Sequence, residues 1–202
     1  MKSNYLPTRF KNKATDYLLI SALGIIAGLL VTFFSDFPND TLWAFSFFSS
    51  ATIGFWMFTT SAIVLCTEKQ YSATINAALY VYFMFFVTMV FKDIRLYSRG
   101  YSGCENILEL IMKNWLSCLL YGLFPAIVCG GLGFILWFAR RNTWYGKILV
   151  FIPLIVIFSE MIFMYISVFT AHTKLFMALV DSACVIAYIG IFKKAMFSKF
   201  YK

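Results

Sequence analysis

Polar and apolar positions come in long blocks along this chain and do not alternate residue by residue. A short polar start, 1–15, gives way to an apolar run over 16–35. Its length is about the 20 residues that a helix needs to cross the hydrocarbon of a bilayer. Five further runs follow, at 42–66, 73–91, 116–139, 148–170 and 175–192, with polar links between them, the longest at 92–106. The pattern predicts an all-α fold, a polytopic integral membrane helical bundle of about six transmembrane helices in a single domain, 1–202. The first run is longer than the apolar core of a signal peptide, and no small-x-small cleavage site precedes Asp36, so it reads as a retained span.

One stretch admits two readings. In 105–115 (ENILELIMKNW) the residues Glu105, Glu109 and Lys113 fall at i, i+4 and i+8, on one helical face. Either a short interfacial helix lies on the membrane before the fourth span, or one long tilted span has a polar outer end. Pro125 and the cluster Gly130, Gly131 and Gly133 mark the fourth span as the one to kink or break. Pro153 does the same near the start of the fifth.

Composition agrees with lipid as the solvent. Hydrophobic residues make up 61% of the chain and charged ones only 13%, about half the charged share of a soluble domain. The net charge of +8 does not point to nucleic acid, because the basic residues sit at the ends of apolar runs and form no patch. With the N-terminus inside, 12 Lys and Arg fall on inner segments and 5 on outer ones. The bias predicts N-in, C-in orientation. Lys92, Arg95 and Arg99 crowd the outer interval after the third run and are its exception. The lysine, isoleucine and phenylalanine content leans toward a bacterial plasma membrane.

Candidate chemistry is sparse. Five cysteines without a Cys-x-x-Cys pair, and a single histidine, predict no metal site, no cofactor and no disulfide framework. Cys104 alone is expected to meet solvent. Asn39-Asp40-Thr41 is a formal glycosylation sequon, but it lies too close to the membrane for modification to be expected. No HExxH, Gly-x-Ser-x-Gly or Walker sequence is present, so an enzyme is not the expectation.

Two acids, Glu160 and Asp181, lie deep in the fifth and sixth runs, which a four-residue turn makes antiparallel neighbours. A carboxylate in lipid is costly and faces a bundle interior or an aqueous cavity. The acids could be protonated and bonded to Tyr165, Tyr188 or Asn76, could hold a cation or proton, or could be met from the outer rim by Arg95, Arg99 or His172. Gly24 with Gly28, and Ala126 with Gly130, have the small-xxx-small spacing that lets helices approach closely. That packing is read as internal, with a partner surface as the alternative. Three functions follow from these features. The first is binding or transport of a small-molecule or cationic solute, alone or as the membrane subunit of a transporter. The second is an accessory or immunity-type protein acting on another membrane protein, and the third is an enzyme acting on lipid.

Overall fold

The computed structural model describes residues 6–34, 42, 53–100, 103, 105–141 and 143–197. They form six helices: α1 Ala14–Phe34, α2 Ile53–Leu65, α3 Gln70–Ser98, α4 Ile107–Leu136, α5 Trp144–Ala171 and α6 Leu175–Phe197. Among the described residues there is no strand, only a lone bridge between Phe10 and Thr67. All the helices except α2 are long and apolar enough to cross a membrane. Their outer faces carry large apolar side chains such as Phe124 (76% exposed), Phe169 (78%) and Ile186 (72%). Contact with water would cost each of these roughly 1.5–3 kcal/mol relative to burial, a penalty that hydrocarbon removes.

Two helix starts follow from local sequence. Asn106 precedes α4 and its side chain accepts from the Glu109 N–H at 2.8 Å, while the Glu109 carboxylate accepts from the Glu105 N–H at 3.1 Å. Thr143 caps α5 by accepting from the Gly146 N–H at 3.3 Å. Such caps satisfy donors that a helix leaves free in its first turn.

Packing is organised around α3. On one side α1 approaches it so closely that a Cβ on Gly24 would lie 2.5 Å from the Tyr80 carbonyl oxygen, and one on Gly28 2.7 Å from that of Met84. On the other side α4 presents Gly122, Ala126, Gly130 and Gly133, all buried; a Cβ on Gly122 would reach 2.9 Å from the Tyr82 carbonyl oxygen. Helices α5 and α6 form a separate hairpin. The short α2 stands between the two groups and touches α3, α4, α5 and α6. Between Leu136 and Trp144 a short 3-10 turn, Trp137–Arg140, redirects the chain, and α4 and α5 splay apart from it.

Several expectations change. The segment 105–115 is no separate interfacial helix, because α4 runs unbroken from Ile107 with no breaker before Pro125. Its Glu105, Glu109 and Lys113 lie exposed at the N-terminal end of one long helix. Neither Pro125 nor the glycine cluster interrupts α4; Gly130 and Gly133 serve its contact with α3 instead. The third helix does not stop at Phe91 but continues to Ser98, since Lys92–Ser98 contains no helix breaker and Asp93 is buried in it. Of the run 42–66, the helix described begins at Ile53. Residues 43–52, the sequon at 39–41, Cys104 and the tail 198–202 lie outside the described residues.

Candidate functional site

Helix α2 is described from Ile53. There Glu160, from the middle of α5, meets its backbone: the Gly54 N–H donates to Glu160 Oε2, with the Ile53 N–H beside it. Asp181 arrives at the same point from α6. A Cβ added to Gly54 would lie 2.6 Å from Asp181 Oδ1 and 2.8 Å from Glu160 Oε2, so those oxygens are no more than about 5.4 Å apart. Glycine at this position is what allows both acids to reach the helix end.

Asp181 is 4% exposed. Among the described residues Glu160 Oε1 and Asp181 Oδ2 are buried without a hydrogen-bond partner. The charged group bearing on Asp181 is Glu160, of the same sign, and among the described residues no Lys or Arg bears on either acid. Two carboxyls therefore converge on Gly54 inside an apolar bundle.

The other candidate residues are placed elsewhere. Tyr165 bonds across the hairpin to Ser182 at 3.1 Å. Tyr188 donates to the Val150 carbonyl at 2.8 Å. Asn76 donates to Thr67 Oγ1 at 3.2 Å, beyond the opposite end of α2 from the acids. Arg95 reaches α1, where it donates to the Thr32 carbonyl. Arg99 is the exposed C-cap of α3, and His172, in the left-handed conformation at φ 52°, is the C-cap of α5. Of the eight, the structure brings together only Glu160 and Asp181.

Sequence reasoning missed three participants. The first is Gly54, inconspicuous as one glycine in an apolar run. The second is Arg140, which lies at the other end of α2, donates to the Leu65 carbonyl and to Thr8 Oγ1 at 2.7 Å, and so ties the N-terminal segment beneath the bundle. The third is Asp93, 3% exposed, which accepts from Asn114 Nδ2 at 3.3 Å and from Cys118 Sγ at 3.4 Å and so joins α3 to α4.

Where α4 and α5 diverge they leave a groove of about 330 Å³. Its floor is one stripe of α2, Ile53, Trp56, Met57, Ser61 and Val64, and its walls are Cys129–Leu136 of α4 and Leu149–Pro153 of α5. No protein-family model, no characterised protein and no solved structure matches this chain.

Proposed function

We propose that this multi-pass membrane protein binds, and as a channel or carrier subunit moves, a small cationic solute held between Glu160 and Asp181. One observation carries the reading: two carboxyls meet at Gly54 of α2 with no basic partner among the described residues, each with a buried oxygen left unpaired. An uncompensated carboxylate inside an apolar bundle costs several kcal/mol, so the pair gains from a proton or a bound cation. Among the described residues no third His, Cys, Asp or Glu completes a metal cage, which favours a singly charged cation over a transition metal.

The membrane addressed is taken to be a bacterial plasma membrane, with both chain ends inside. An accessory role through protein contacts draws less support, because the Gly24–Gly28 face is already filled by α3. Among the described residues Cys118 donates to Asp93, but both are buried in the contact of α3 with α4, so catalysis on lipid is not favoured.

The test is calorimetric binding of methylammonium and of Na⁺ to the purified protein in nanodiscs. Saturable binding of at least one of them is expected in the parent protein, with a loss of at least ten-fold in E160Q/D181N. Equal affinity in that double variant would overturn the reading.

A further inference from the structure

We infer that residues 6–13 form a strap with two edges, one docked under the bundle and the other binding the anionic phospholipid headgroups of the membrane surface. The inference is independent of the acid pair. Exposure along the segment alternates residue by residue. Leu6 and Phe10 are buried and Thr8 and Asn12 half-buried, while Pro7, Arg9, Lys11 and Lys13 are exposed. A period of two is that of extended backbone, whose successive side chains point to opposite sides.

The inward edge is held by bonds and by packing. The Arg9 and Phe10 N–H groups donate to the Cys66 carbonyl at 2.9 and 3.2 Å, and the Glu68 N–H donates to the Phe10 carbonyl at 3.0 Å. Thr8 Oγ1 accepts from Arg140. Phe10 packs in the cluster of Ile20 and Ile63, and Leu6 in the cluster of Leu65, Phe192 and Met196. At Asn12, φ 65°, the chain turns towards α1, and the Asp16 carboxylate accepts from the Lys11 and Lys13 N–H groups at 2.8 and 3.0 Å.

The outward edge lies at headgroup level. Helix α1 begins one residue after Lys13, and its 21 residues rise about 32 Å, close to the thickness of the hydrocarbon. The α2–α3 link and the end of α6 meet the strap here and add the exposed Lys69, Lys193 and Lys194; the acids at this end are Asp16 and Glu68. Basic charge therefore prevails around the strap. A Lys or Arg near an anionic membrane surface strengthens attachment about five-fold, and Arg9, Lys11 and Lys13 act together. A row of cations at the mouth of a span meets headgroups ahead of any soluble partner. Lipid charge thus sets how firmly the strap clamps the Leu65 end of α2.

The test is hydrogen exchange at the Arg9, Phe10 and Glu68 amides of the full chain. It compares nanodiscs of phosphatidylcholine with nanodiscs of equal parts phosphatidylcholine and phosphatidylglycerol. Exchange at least ten-fold slower with phosphatidylglycerol is expected. R9Q/K11Q/K13Q should lose the difference, and R9E/K11E/K13E should invert it, exchanging faster in the anionic lipid. All three side chains are exposed, so exchange in the middle of α3 should stay as in the parent and show the fold intact. Equal exchange of the parent in both lipids would overturn the inference, as would a phosphatidylglycerol effect that persists after charge reversal. If phosphatidylglycerol does nothing and soluble polyglutamate slows these amides instead, the edge takes an acidic protein and the lipid assignment is wrong.

Discussion

Glu160 and Arg140 bond to opposite ends of α2 as described, neither belonging to it: the carboxylate receives the Gly54 N–H and the guanidinium donates to the Leu65 carbonyl. At the Leu65 end the guanidinium has the sign that complements the helix dipole, worth up to about 2 kcal/mol in a partly buried setting. Both bonds satisfy backbone groups in an apolar surround. The charges therefore have a structural duty, and a functional claim for the acids must separate itself from that duty by experiment.

Arg140 has only the structural duty, so its loss should show in stability. Arg140→Ala removes the donors to Leu65 and Thr8 and the longer bond to the Pro7 carbonyl at 3.3 Å. Charge-assisted bonds of this kind contribute about 1.5–3 kcal/mol each. The expected outcome is a melting midpoint lower by several degrees and faster tryptic cleavage at Arg9 and Lys11, as the N-terminal segment comes free. Arg140→Lys should recover only part of both, because one ammonium cannot span acceptors that a planar fork reaches. An unchanged cleavage rate in Arg140→Ala would contradict this role.

Glycines of identical type should respond in opposite ways. Gly24→Val places a branched side chain against the Tyr80 backbone carbonyl, which cannot move aside, and should cost about 3 kcal/mol or abolish folding. Gly131 and Gly190 have nothing within 4 Å of where a Cβ would stand. Their replacement by Ala should be neutral or stabilise by up to about 1 kcal/mol, since glycine is a poor helix former. Thermal melts of the purified variants in one detergent decide the matter.

These contrasts show where the sequence was legible. Block hydrophobicity located the long helices, because length and lack of charge are what the bilayer demands of a span. The hairpin of α5 and α6, and with it the meeting of Glu160 and Asp181, followed from a four-residue turn. Boundaries were less legible: the polar residues 92–98 hide three-dimensional burial at Asp93 and the continuation of α3 to Ser98. The acceptor that Glu160 offers to Gly54 depends on residues 106 apart in sequence, a relation no local periodicity carries. The tyrosines and Asn76 were grouped with the acids on chemistry alone, and packing gave them other partners.

Asp93 offers a test of that hidden burial. Asp93→Ala leaves Asn114 without its acceptor at the contact of α3 and α4, a loss of about 1–3 kcal/mol, whereas Asp93→Asn retains an accepting oxygen and should cost less. Cys118, 2% exposed beside Asp93, is the reporter. In a chain keeping Cys118 as its one cysteine, maleimide labelling should accelerate severalfold in Asp93→Ala and little in Asp93→Asn. Equal labelling in all three would mean that Asp93 does not hold this contact.

Three substitutions at the end of α2 separate capping from ligand binding. Glu160→Gln keeps an oxygen that can accept from the Gly54 N–H but removes the charge. Its melting midpoint should stay within a few degrees of the parent while binding of the ammonium probe falls at least ten-fold. Glu160→Ala removes both acceptor and charge, so stability and binding should fall together. Gly54→Ala acts from the other side: the backbone at Gly54 is ordinary right-handed helix that alanine tolerates, but the added methyl occupies the space where Asp181 and Glu160 converge. It should push the carboxylates apart and cost at least ten-fold in affinity, with a smaller effect on melting than Glu160→Ala. If Glu160→Gln and Gly54→Ala both bind the probe like the parent, the acids serve only to hold α2 in place.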